Sequence, residues 1–293
     1  MNNIKIAVLG GDLRQSYIIT ELIALGFSVS AYGIKGDTQN ECASISEALD
    51  GADAVILPYP ISPDGVFLNA VCEDCNVRLY DLFSEIKKKE VRLTFGGGLK
   101  SSVNEMAKKL ELEIIDYGKI EAVLIKNALC TAEGAIELAM RELPINLHGS
   151  TATVLGYGRI SRLLCHRLRA LGCDVSVVAR RSEALAAAET EGMRAFPLKM
   201  LKTAVKTADI IFNTAPSLIL DKNALSVIRS DCLIIDLASA PGGVDFIEAQ
   251  RLGLNVIWAL SLPGKCSPKS AASIICDEVV SYIENAFHLT LNL

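Results

Sequence analysis

A glycine turn, Gly156-Tyr157-Gly158, follows the predicted buried strand Thr151–Leu155 and opens a predicted amphipathic helix. In such a βα unit the first glycine permits a tight turn, and the second lets the backbone approach a pyrophosphate at the helix N-terminus. Ser161 takes the place of a third glycine, and we expect it to loosen helix–strand packing slightly. The alternative is a βα turn without a ligand. The predicted cofactor-binding residues here are Gly156, Tyr157, Gly158, Arg159 and Ile160.

Two arginines follow the next predicted strand, Asp174–Val178. They stand where dinucleotide-binding folds specific for NAD have an acid that binds the ribose 2′-hydroxyl. An acid would repel a 2′-phosphate, whereas Arg180 and Arg181 can donate charge-assisted hydrogen bonds to it, each worth about 1.5–3 kcal/mol. We therefore predict NADP as the cofactor, with Arg180, Arg181 and Ser182 in its site. The alternative is a solvated basic helix start.

Further polar residues follow the later predicted strands, at the edge where cofactor and substrate meet in such folds. The predicted cofactor-binding residues after the strand Ile210–Phe212 are Asn213, Thr214, Ala215 and Pro216. Candidate catalytic residues are Lys265, Asp245 and Glu133. Candidate substrate-binding residues are Asn127, Thr131, Ser239 and Lys265.

The turn Gly10-Gly11-Asp12 occupies the equivalent position after the first predicted strand. Asp12 stands where a phosphate would approach, which argues against a second dinucleotide. Arg14, near the N-terminus of the following helix, could bind a substrate carboxylate; an exposed helix charge is the equally good alternative. The three histidines, His148, His166 and His288, have no evident acidic partner in the sequence. This disfavours a hydroxy-acid dehydrogenase of the His–carboxylate type, which needs a proton donor beside the carbonyl.

The strands and helices that position these residues alternate along the chain, as expected of parallel βαβ units. The glycine turns at Gly10 and Gly156 are both followed by an Ala-Leu-Gly segment at the same spacing, which indicates two similar halves. We predict an α/β fold of two Rossmann-like doubly wound parallel-sheet lobes, linked by long helices, with a cleft between them. The linking helices are 122–143 and one that begins at Pro268 after an N-cap at Ser267. The predicted domains are 1–121 with 268–293, the substrate lobe, and 122–267, the NADP-binding lobe.

Composition fits this fold and excludes several partners. The 293 residues are 51% hydrophobic and 5% aromatic, as suits parallel strands covered on both faces. A net charge of −5 argues against nucleic-acid or anionic-membrane binding. No apolar run approaches the ~18 residues of a membrane span, so we expect a cytoplasmic protein. Cys72 and Cys75 have the spacing of a metal or redox pair, but lack a second pair, which favours a structural role.

Five segments resemble the A subunit of dipicolinate synthase, and the resemblance runs over essentially the whole chain. Several of them are not general features of dinucleotide-binding folds. The segments are Gly11-Asp12-Leu13-Arg14-Gln15, Asn127-Ala128 with Thr131-Ala132-Glu133-Gly134-Ala135, Leu155-Gly156-Tyr157-Gly158-Arg159, Asp236-Leu237-Ala238-Ser239 with Pro241-Gly242-Gly243-Val244-Asp245-Phe246, and Ser261-Leu262-Pro263-Gly264-Lys265.

The resemblance implies an NADP-linked oxidation of a dihydrodipicolinate, from a branch of the lysine pathway, to pyridine-2,6-dicarboxylate in the mother cell of a sporulating bacterium. It also implies a heteromeric complex with the flavoprotein-like B subunit of the synthase, and we leave homo-oligomerisation open. A dianionic substrate requires cations in an acidic protein, and Arg14, Lys126 and Lys265 are the candidates, with Arg14 and Lys265 across the cleft. The sequence is also compatible with two alternatives: another two-lobed NADP-dependent hydroxy-acid or amino-acid dehydrogenase, and a non-catalytic NADP-sensing module.

Overall fold

The computed structural model describes residues 4–34, 40–71 and 75–288. The chain divides into two compact units, the first Met1–Asn127 with Ser267–Leu293, and the second Ala128–Cys266. The first division falls inside a long helix, after Asn127 rather than before residue 122 as predicted. The second falls before Ser267, one residue earlier than predicted.

Eleven strands and twelve α-helices are present in the described residues. The strands are β1 Lys5–Leu9, β2 Ser28–Tyr32, β3 Ala54–Ile56, β4 Leu93–Gly96, β5 Ile115–Asp116, β6 Thr151–Leu155, β7 Asp174–Ala179, β8 Arg194–Pro197, β9 Ile210–Asn213, β10 Leu233–Asp236 and β11 Asn255–Trp258. The helices are α1 Leu13–Ala24, α2 Ile45–Leu49, α3 Leu79–Lys88, α4 Ser101–Lys109, α5 Glu121–Glu142, α6 Arg159–Ala170, α7 Ser182–Thr190, α8 Leu201–Val205, α9 Lys222–Leu225, α10 Phe246–Arg251, α11 Leu262–Cys266 and α12 Pro268–Phe287.

The first unit is a five-stranded parallel sheet with the order β2-β1-β3-β4-β5. One face is covered by α1 and α12, whose apolar side chains share a buried cluster. On α12 that cluster includes Ile275, Val279 and Ile283, which recur every four residues and so lie on one side of the helix. The prediction that a helix beginning at Pro268 returns to the first unit is confirmed. A second cluster, with residues of α2, α3 and α4, covers the other face.

The second unit is a six-stranded parallel sheet with the order β11-β10-β9-β6-β7-β8. Numbered within the unit, this is the order 3-2-1-4-5-6 of dinucleotide-binding folds, read from the opposite edge. Apolar residues of α5, α6 and α7 cover one face, and residues of α8, α9 and α10 cover the other. The two parallel α/β lobes predicted from the sequence are therefore confirmed.

The edge strand β8 was missed by the sequence analysis. Its residues, Arg194-Ala-Phe-Pro197, include no β-branched residue and are half-buried or exposed. Proline lacks a backbone donor and is tolerated at sheet edges, where no further strand pairs with it. Hydrophobic periodicity therefore gives little signal for this strand.

None of the helices in the described ranges is long and apolar enough to cross a membrane. Cys75 is disulfide-bonded, whereas Cys72 lies outside the described residues. Seven other cysteines carry free thiols.

Candidate functional site

The glycine turn after β6 has the geometry that its sequence predicted. Gly156 has a φ of +95°, and a Cβ added there would lie 2.6 Å from Oγ1 of Thr214. Only glycine fits this position without a shift of its neighbours. Gly158 is the N-cap of α6, and a Cβ added there would meet no heavy atom within 4 Å. The space in front of the helix N-terminus is therefore open to a ligand.

Ser161, at the third position of the motif, is fully buried and hydrogen-bonded. Its Oγ lies 2.7 Å from Oγ1 of Thr214 and accepts a hydrogen bond of 3.4 Å from the backbone N–H of Gly158. Oγ1 of Thr214 in turn donates to the carbonyl of Leu155 at 2.9 Å. Contrary to the expectation of looser packing, the serine hydroxyl links α6 to the segment after β9.

Tyr157, predicted to bind the cofactor, is buried in the apolar cluster that α5, α6 and α7 share with the sheet. Its hydroxyl donates to the carboxylate of Glu191 at 2.7 Å. The same carboxylate accepts from Arg162 and lies 2.6 Å from Nε2 of His166. These hydrogen bonds, that of Tyr157 first, hold the pKa of Glu191 below its usual range against the opposing effect of burial. The hydrogen bond between Tyr157 and Glu191 thus holds the glycine turn against the C-terminal end of α7.

The expectation that no histidine has an acidic partner is wrong for His166, which bonds Glu191. Glu191 is the C-cap of α7, distant in sequence from His166, so spacing could not reveal the pair. His166 follows the first residue of α6 by seven positions, about 10 Å along the helix axis at 1.5 Å per residue. The His166 ring therefore belongs to the second turn of α6, and the Glu191 carboxylate connects it to the hydroxyl of Tyr157.

A cavity of about 340 Å³ lies in the second unit beside the end of β7. Arg180 is among the residues that line it, together with Lys199 and Lys202 from the segment after β8. Arg181 is the N-cap residue of α7, its side chain forms no capping hydrogen bond, and it does not line the cavity. Ser182 is the exposed first residue of α7. The two arginines therefore differ in their surroundings, which their adjacency in sequence could not indicate.

Asn213 is buried at the end of β9 and bonds the end of β10. Its Nδ2 donates to Oδ1 of Asp236 at 2.7 Å, and its Oδ1 accepts from the backbone N–H of Ala215 at 3.2 Å. Asp236 also accepts from the backbone N–H groups of Ala238 at 3.0 Å and Gly243 at 2.8 Å. Ala215 is half-buried and Pro216 exposed. Asn213 therefore joins the ends of β9 and β10 by hydrogen bonds, whereas Ala215 and Pro216 after it are accessible to solvent.

The Gly242-Gly243 pair after β10 is required by the same hydrogen-bond network. A Cβ on Gly243 would lie 2.2 Å from Nδ2 of Asn213, and a Cβ on Gly242 would lie 2.7 Å from Oδ2 of Asp236. The two glycines thus allow the backbone to fold directly over a buried carboxylate.

Arg14 is buried and already bonded within the first unit. Its Nε and one terminal nitrogen donate to the two carboxylate oxygens of Asp12, at 2.9 and 2.8 Å, and the same terminal nitrogen donates to the carbonyl of Tyr59 at 2.5 Å. Burial works to lower the pKa of Arg14, but the hydrogen bonds and charge of Asp12 outweigh it and raise that pKa. The exposed helix charge considered as an alternative is therefore wrong, and Asp12 already compensates the charge.

A small cavity in the first unit has Arg14, Tyr59, Tyr117 and Asn127 in its wall. The Tyr59 and Tyr117 rings stack with centroids 6.2 Å apart. Burial raises the pKa of Tyr117, whose hydroxyl donates to the carbonyl of Leu57 at 2.8 Å. The cavity measures about 10 Å³, which is room for about one water molecule. A dicarboxylate ring does not fit there without displacement of its walls.

The remaining candidates on α5 lie in different surroundings. Lys126 is exposed and pairs with Asp277 at 3.1 Å. Glu133 is exposed and pairs with Arg167 at 3.3 Å. Thr131 is half-buried and has an interaction partner. Exposed ion pairs of this kind contribute about 0–1 kcal/mol, so both charges remain available to a ligand.

Three candidates lie near the ends of the second unit's last strands. Asp245 is the N-cap of α10, where its Oδ1 accepts from the backbone N–H of Glu248 at 3.0 Å. Ser239 is exposed after β10, and Lys265 is exposed on α11. Asp245 therefore has a structural role as a helix cap. The side chain of Lys265 forms no ion pair or hydrogen bond within the described residues.

Two family models match the chain, one in each half. Residues 5–118 match the N-terminal domain of the dipicolinate synthase A subunit. Residues 127–242 match the NAD-binding domain of D-isomer-specific 2-hydroxyacid dehydrogenases. The second match supports a nicotinamide cofactor and an oxidoreductase, without distinguishing NADP from NAD.

A relative and two solved structures match nearly the whole chain. The dipicolinate synthase A subunit of Bacillus subtilis (strain 168) is 32% identical over 285 residues, which cover 94% of this chain and 95% of that protein. The chain belongs to the family of dipicolinate synthase A subunits. The crystal structure of the A subunit from Bacillus halodurans has a TM-score of 0.87 at 28% identity, covering 95% of this chain and 97% of that one. For the A chain from Bacillus subtilis the TM-score is 0.84 at 30% identity, with 97% of each chain covered.

Family membership confirms the resemblance read from the sequence, but the structure adds residues that the sequence analysis did not select. Lys199 and Lys202 were missed because they follow the unrecognised strand β8. Glu191 was missed because its partners come from another helix and from the glycine turn. Asp236 belongs to one of the segments that carry the family resemblance, but no role was predicted for it. Its carboxylate accepts from Asn213, Ala238 and Gly243, and two of these donors, Asn213 and Gly243, come from other segments that no local pattern connects to it.

Proposed function

We propose that this chain is the NADP-dependent subunit of a dipicolinate synthase. It oxidises a dihydrodipicolinate, supplied by a branch of the lysine pathway, to pyridine-2,6-dicarboxylate in the mother cell of a sporulating bacterium, in complex with a flavoprotein-like B subunit. The observation that carries this proposal is family membership over nearly the whole chain. Separately, the basic cavity beside β7 supports the choice of NADP.

The residues of the second unit fit a dinucleotide. Gly158, the N-cap of α6, has no side chain that could bond the first backbone N–H groups of the helix, so these groups can meet a pyrophosphate. Gly158 leaves the approach open, and the cavity lined by Arg180 is within the size range of nucleotide and cofactor pockets, about 300–1,000 Å³. The first unit has Asp12 at the corresponding turn, bonded to Arg14, so we assign the cofactor to the second unit alone.

A bound nicotinamide would accept a hydride from a ring carbon of the dihydropyridine, and loss of a proton would complete the aromatic ring. Aromatisation favours this oxidation, so no strong general acid is required of the protein. The protein has to bind the dianionic substrate and orient its reacting ring carbon towards the nicotinamide. Of the proposed cations, Lys265 is the best candidate for a carboxylate, because the charge of Arg14 is compensated by Asp12. Lys265 can supply a point charge.

A 2-hydroxyacid dehydrogenase is the second candidate, favoured by the family model that matches residues 127–242. That chemistry needs an acid–base group beside the reacting carbonyl. Among the described residues, His166 is a histidine with a carboxylate partner, and it lies seven residues after the first residue of α6. We therefore prefer the dipicolinate reaction.

The proposal is tested by mixing the protein with a dihydrodipicolinate precursor and NADP, with and without the B subunit, and following the ultraviolet absorbance of the pyridine product. Formation of pyridine-2,6-dicarboxylate with NADPH supports it. Oxidation of hydroxy acids without a pyridine chromophore would support the dehydrogenase alternative. Binding of NADP without turnover under every condition would instead indicate a sensing module.

The double substitution Arg180→Ala with Arg181→Ala is expected to weaken NADP binding far more than NAD binding. The expected difference is about 2–5 kcal/mol, the range for one to two charge-assisted bonds to the 2′-phosphate. Calorimetry with each cofactor measures it. The single variants separate the contributions, and we expect Arg180→Ala to account for most of the effect because Arg180 lines the cavity. Equal losses for NADP and NAD would contradict the assignment.

Lys265→Ala is expected to lower kcat/KM for the dihydrodipicolinate about tenfold to a hundredfold while leaving NADP affinity unchanged. The reason is loss of one charged contact, worth about 1.5–3 kcal/mol. Lys269→Ala is the matched control, since Lys269 is also an exposed lysine four positions later. Wild-type kcat/KM in Lys265→Ala would remove Lys265 from the substrate site.

A further inference from the structure

The cavity beside β7 combines an apolar surface with an excess of positive charge. Leu198 and Leu218 contribute to its apolar part, and the charged side chains in its wall are Arg180, Lys199, Lys202 and Asp221. The wall therefore carries three cations and one anion, in a protein whose net charge is −5. Such an excess of cations favours an anionic ligand that also has an apolar part.

The charged groups of this cavity are not neutralised by one another. Asp221 is the N-cap of α9, where its Oδ1 accepts from the backbone N–H of Ala224 at 2.9 Å. Within the part of the chain that the structure describes, Arg180, Lys199 and Lys202 form no ion pair or hydrogen bond through their side chains. This contrasts with Arg162, Arg167, Arg194 and Arg229 of the same unit, each of which pairs with a carboxylate.

The position of the two lysines brings them to the same opening as Arg180. Lys199 lies in the short 3₁₀ segment Leu198–Met200 and Lys202 lies in α8, three residues later. Residues three apart in consecutive helical turns lie on the same side. Both segments follow β8, which pairs directly with β7, the strand that ends before Arg180. Two neighbouring strands thus deliver three cations to one edge of the sheet.

We infer that Lys199 and Lys202, together with Arg180, bind the phosphate monoester on the ribose of the dinucleotide and so set the preference for NADP over NAD. This inference rests on the proposed function and extends it to two residues that no motif indicates. Two lysines beside an arginine provide mobile point charges around a planar donor, which suits a dianionic phosphate. The apolar wall formed in part by Leu198 and Leu218 suits the adenine ring.

The test uses two nucleotides that differ only in the group concerned, adenosine 2′,5′-bisphosphate and adenosine 5′-monophosphate. Their affinities are measured by calorimetry for the wild type and for the double variant Lys199→Gln with Lys202→Gln. The double variant is expected to bind the bisphosphate about tenfold to a hundredfold more weakly, with the monophosphate unchanged. Lys206→Gln is the matched control, because Lys206 is an exposed lysine at the end of α8 that does not line the cavity.

The outcomes separate this inference from the proposed function. A double variant that keeps the wild-type preference for the bisphosphate, or that loses both nucleotides equally, overturns the assignment of the lysines. A wild type that binds both nucleotides with equal affinity also overturns it, whereas pyridine-2,6-dicarboxylate formation would still support the proposed function. A wild type that binds neither nucleotide overturns the inference, while formation of pyridine-2,6-dicarboxylate with NADP decides the proposed function separately.

Discussion

Gly158→Ala is expected to leave the protein folded and to weaken dinucleotide binding about tenfold to a hundredfold. The added methyl group meets nothing in the protein, so the fold loses only the better capping of glycine, less than about 1 kcal/mol. The methyl group would occupy the space through which a pyrophosphate approaches the N-terminus of α6. Crowding of this kind costs about 1–3 kcal/mol, which gives the expected loss of affinity. Calorimetric titration with NADP measures it.

Gly156→Ala, two residues away, is the matched comparison, and its effect is expected on folding. A φ of +95° costs a non-glycine residue about 1–2 kcal/mol, and the added Cβ would lie 2.6 Å from Oγ1 of Thr214. The hydroxyl cannot move away freely, because it bonds both Ser161 and the carbonyl of Leu155. Denaturant unfolding should show a lower free energy of unfolding for Gly156→Ala than for Gly158→Ala. Equal stability of both variants with unchanged NADP affinity would contradict this account of the turn.

The sequence predicts the parts of this protein that depend on local chemistry. Strands such as Ile210–Phe212 are continuous apolar runs because helices cover both faces of the sheet. The turn at Gly156 is visible because its backbone demands glycine. Helix α12 is visible because Pro268 follows Ser267 and an apolar stripe runs beyond it. Each of these signals is contained in fewer than about 20 neighbouring residues, so one sequence suffices.

The sequence predicts poorly what depends on partners distant along the chain. Corresponding residues of the two halves are 146 positions apart at Gly10/Gly156 and at Gly26/Gly172. This constant spacing no longer holds at β3 and β9, the third strand that the two halves share. The segment between β7 and β9, which contains α7 and β8, is longer than the segment between β2 and β3. Because β8 was missed, so were the lysines behind it.

Arg14 is another example, because the sequence predicts its position at the start of a helix but not the partner of its charge. Its position in the sequence favours a ligand-binding cation and an exposed helix charge equally, and does not indicate an internal pair with Asp12. The structure shows the pair, with Asp12 also capping α1 by accepting from the backbone N–H of Arg14 at 3.0 Å. Electrostatic complementarity within the turn therefore explains both charges without a ligand.

Asp236→Ala is expected to lower the free energy of unfolding by about 2–4 kcal/mol, and it is the substitution with the largest expected effect on stability. The carboxylate is fully buried and accepts hydrogen bonds from Asn213, Ala238 and Gly243. Each buried donor left without an acceptor costs about 1–3 kcal/mol, while removal of a buried charge returns part of this sum. Denaturant unfolding monitored by circular dichroism measures the difference.

Asp245→Ala provides the control for Asp236→Ala, because Asp245 is also an aspartate that accepts a backbone N–H near the end of β10. Its carboxylate caps α10 and is only half-buried, so its removal should cost about 1 kcal/mol. Asp236→Asn should fall between the two alanine variants, since an amide keeps the volume but turns a donor towards the N–H of Gly243 or Ala238. The same ranking is expected for NADP affinity, because Asn213 orders the segment that reaches Thr214 and Pro216. If Asp236→Ala proved as stable as Asp245→Ala, the buried carboxylate would not be what joins the ends of β9 and β10.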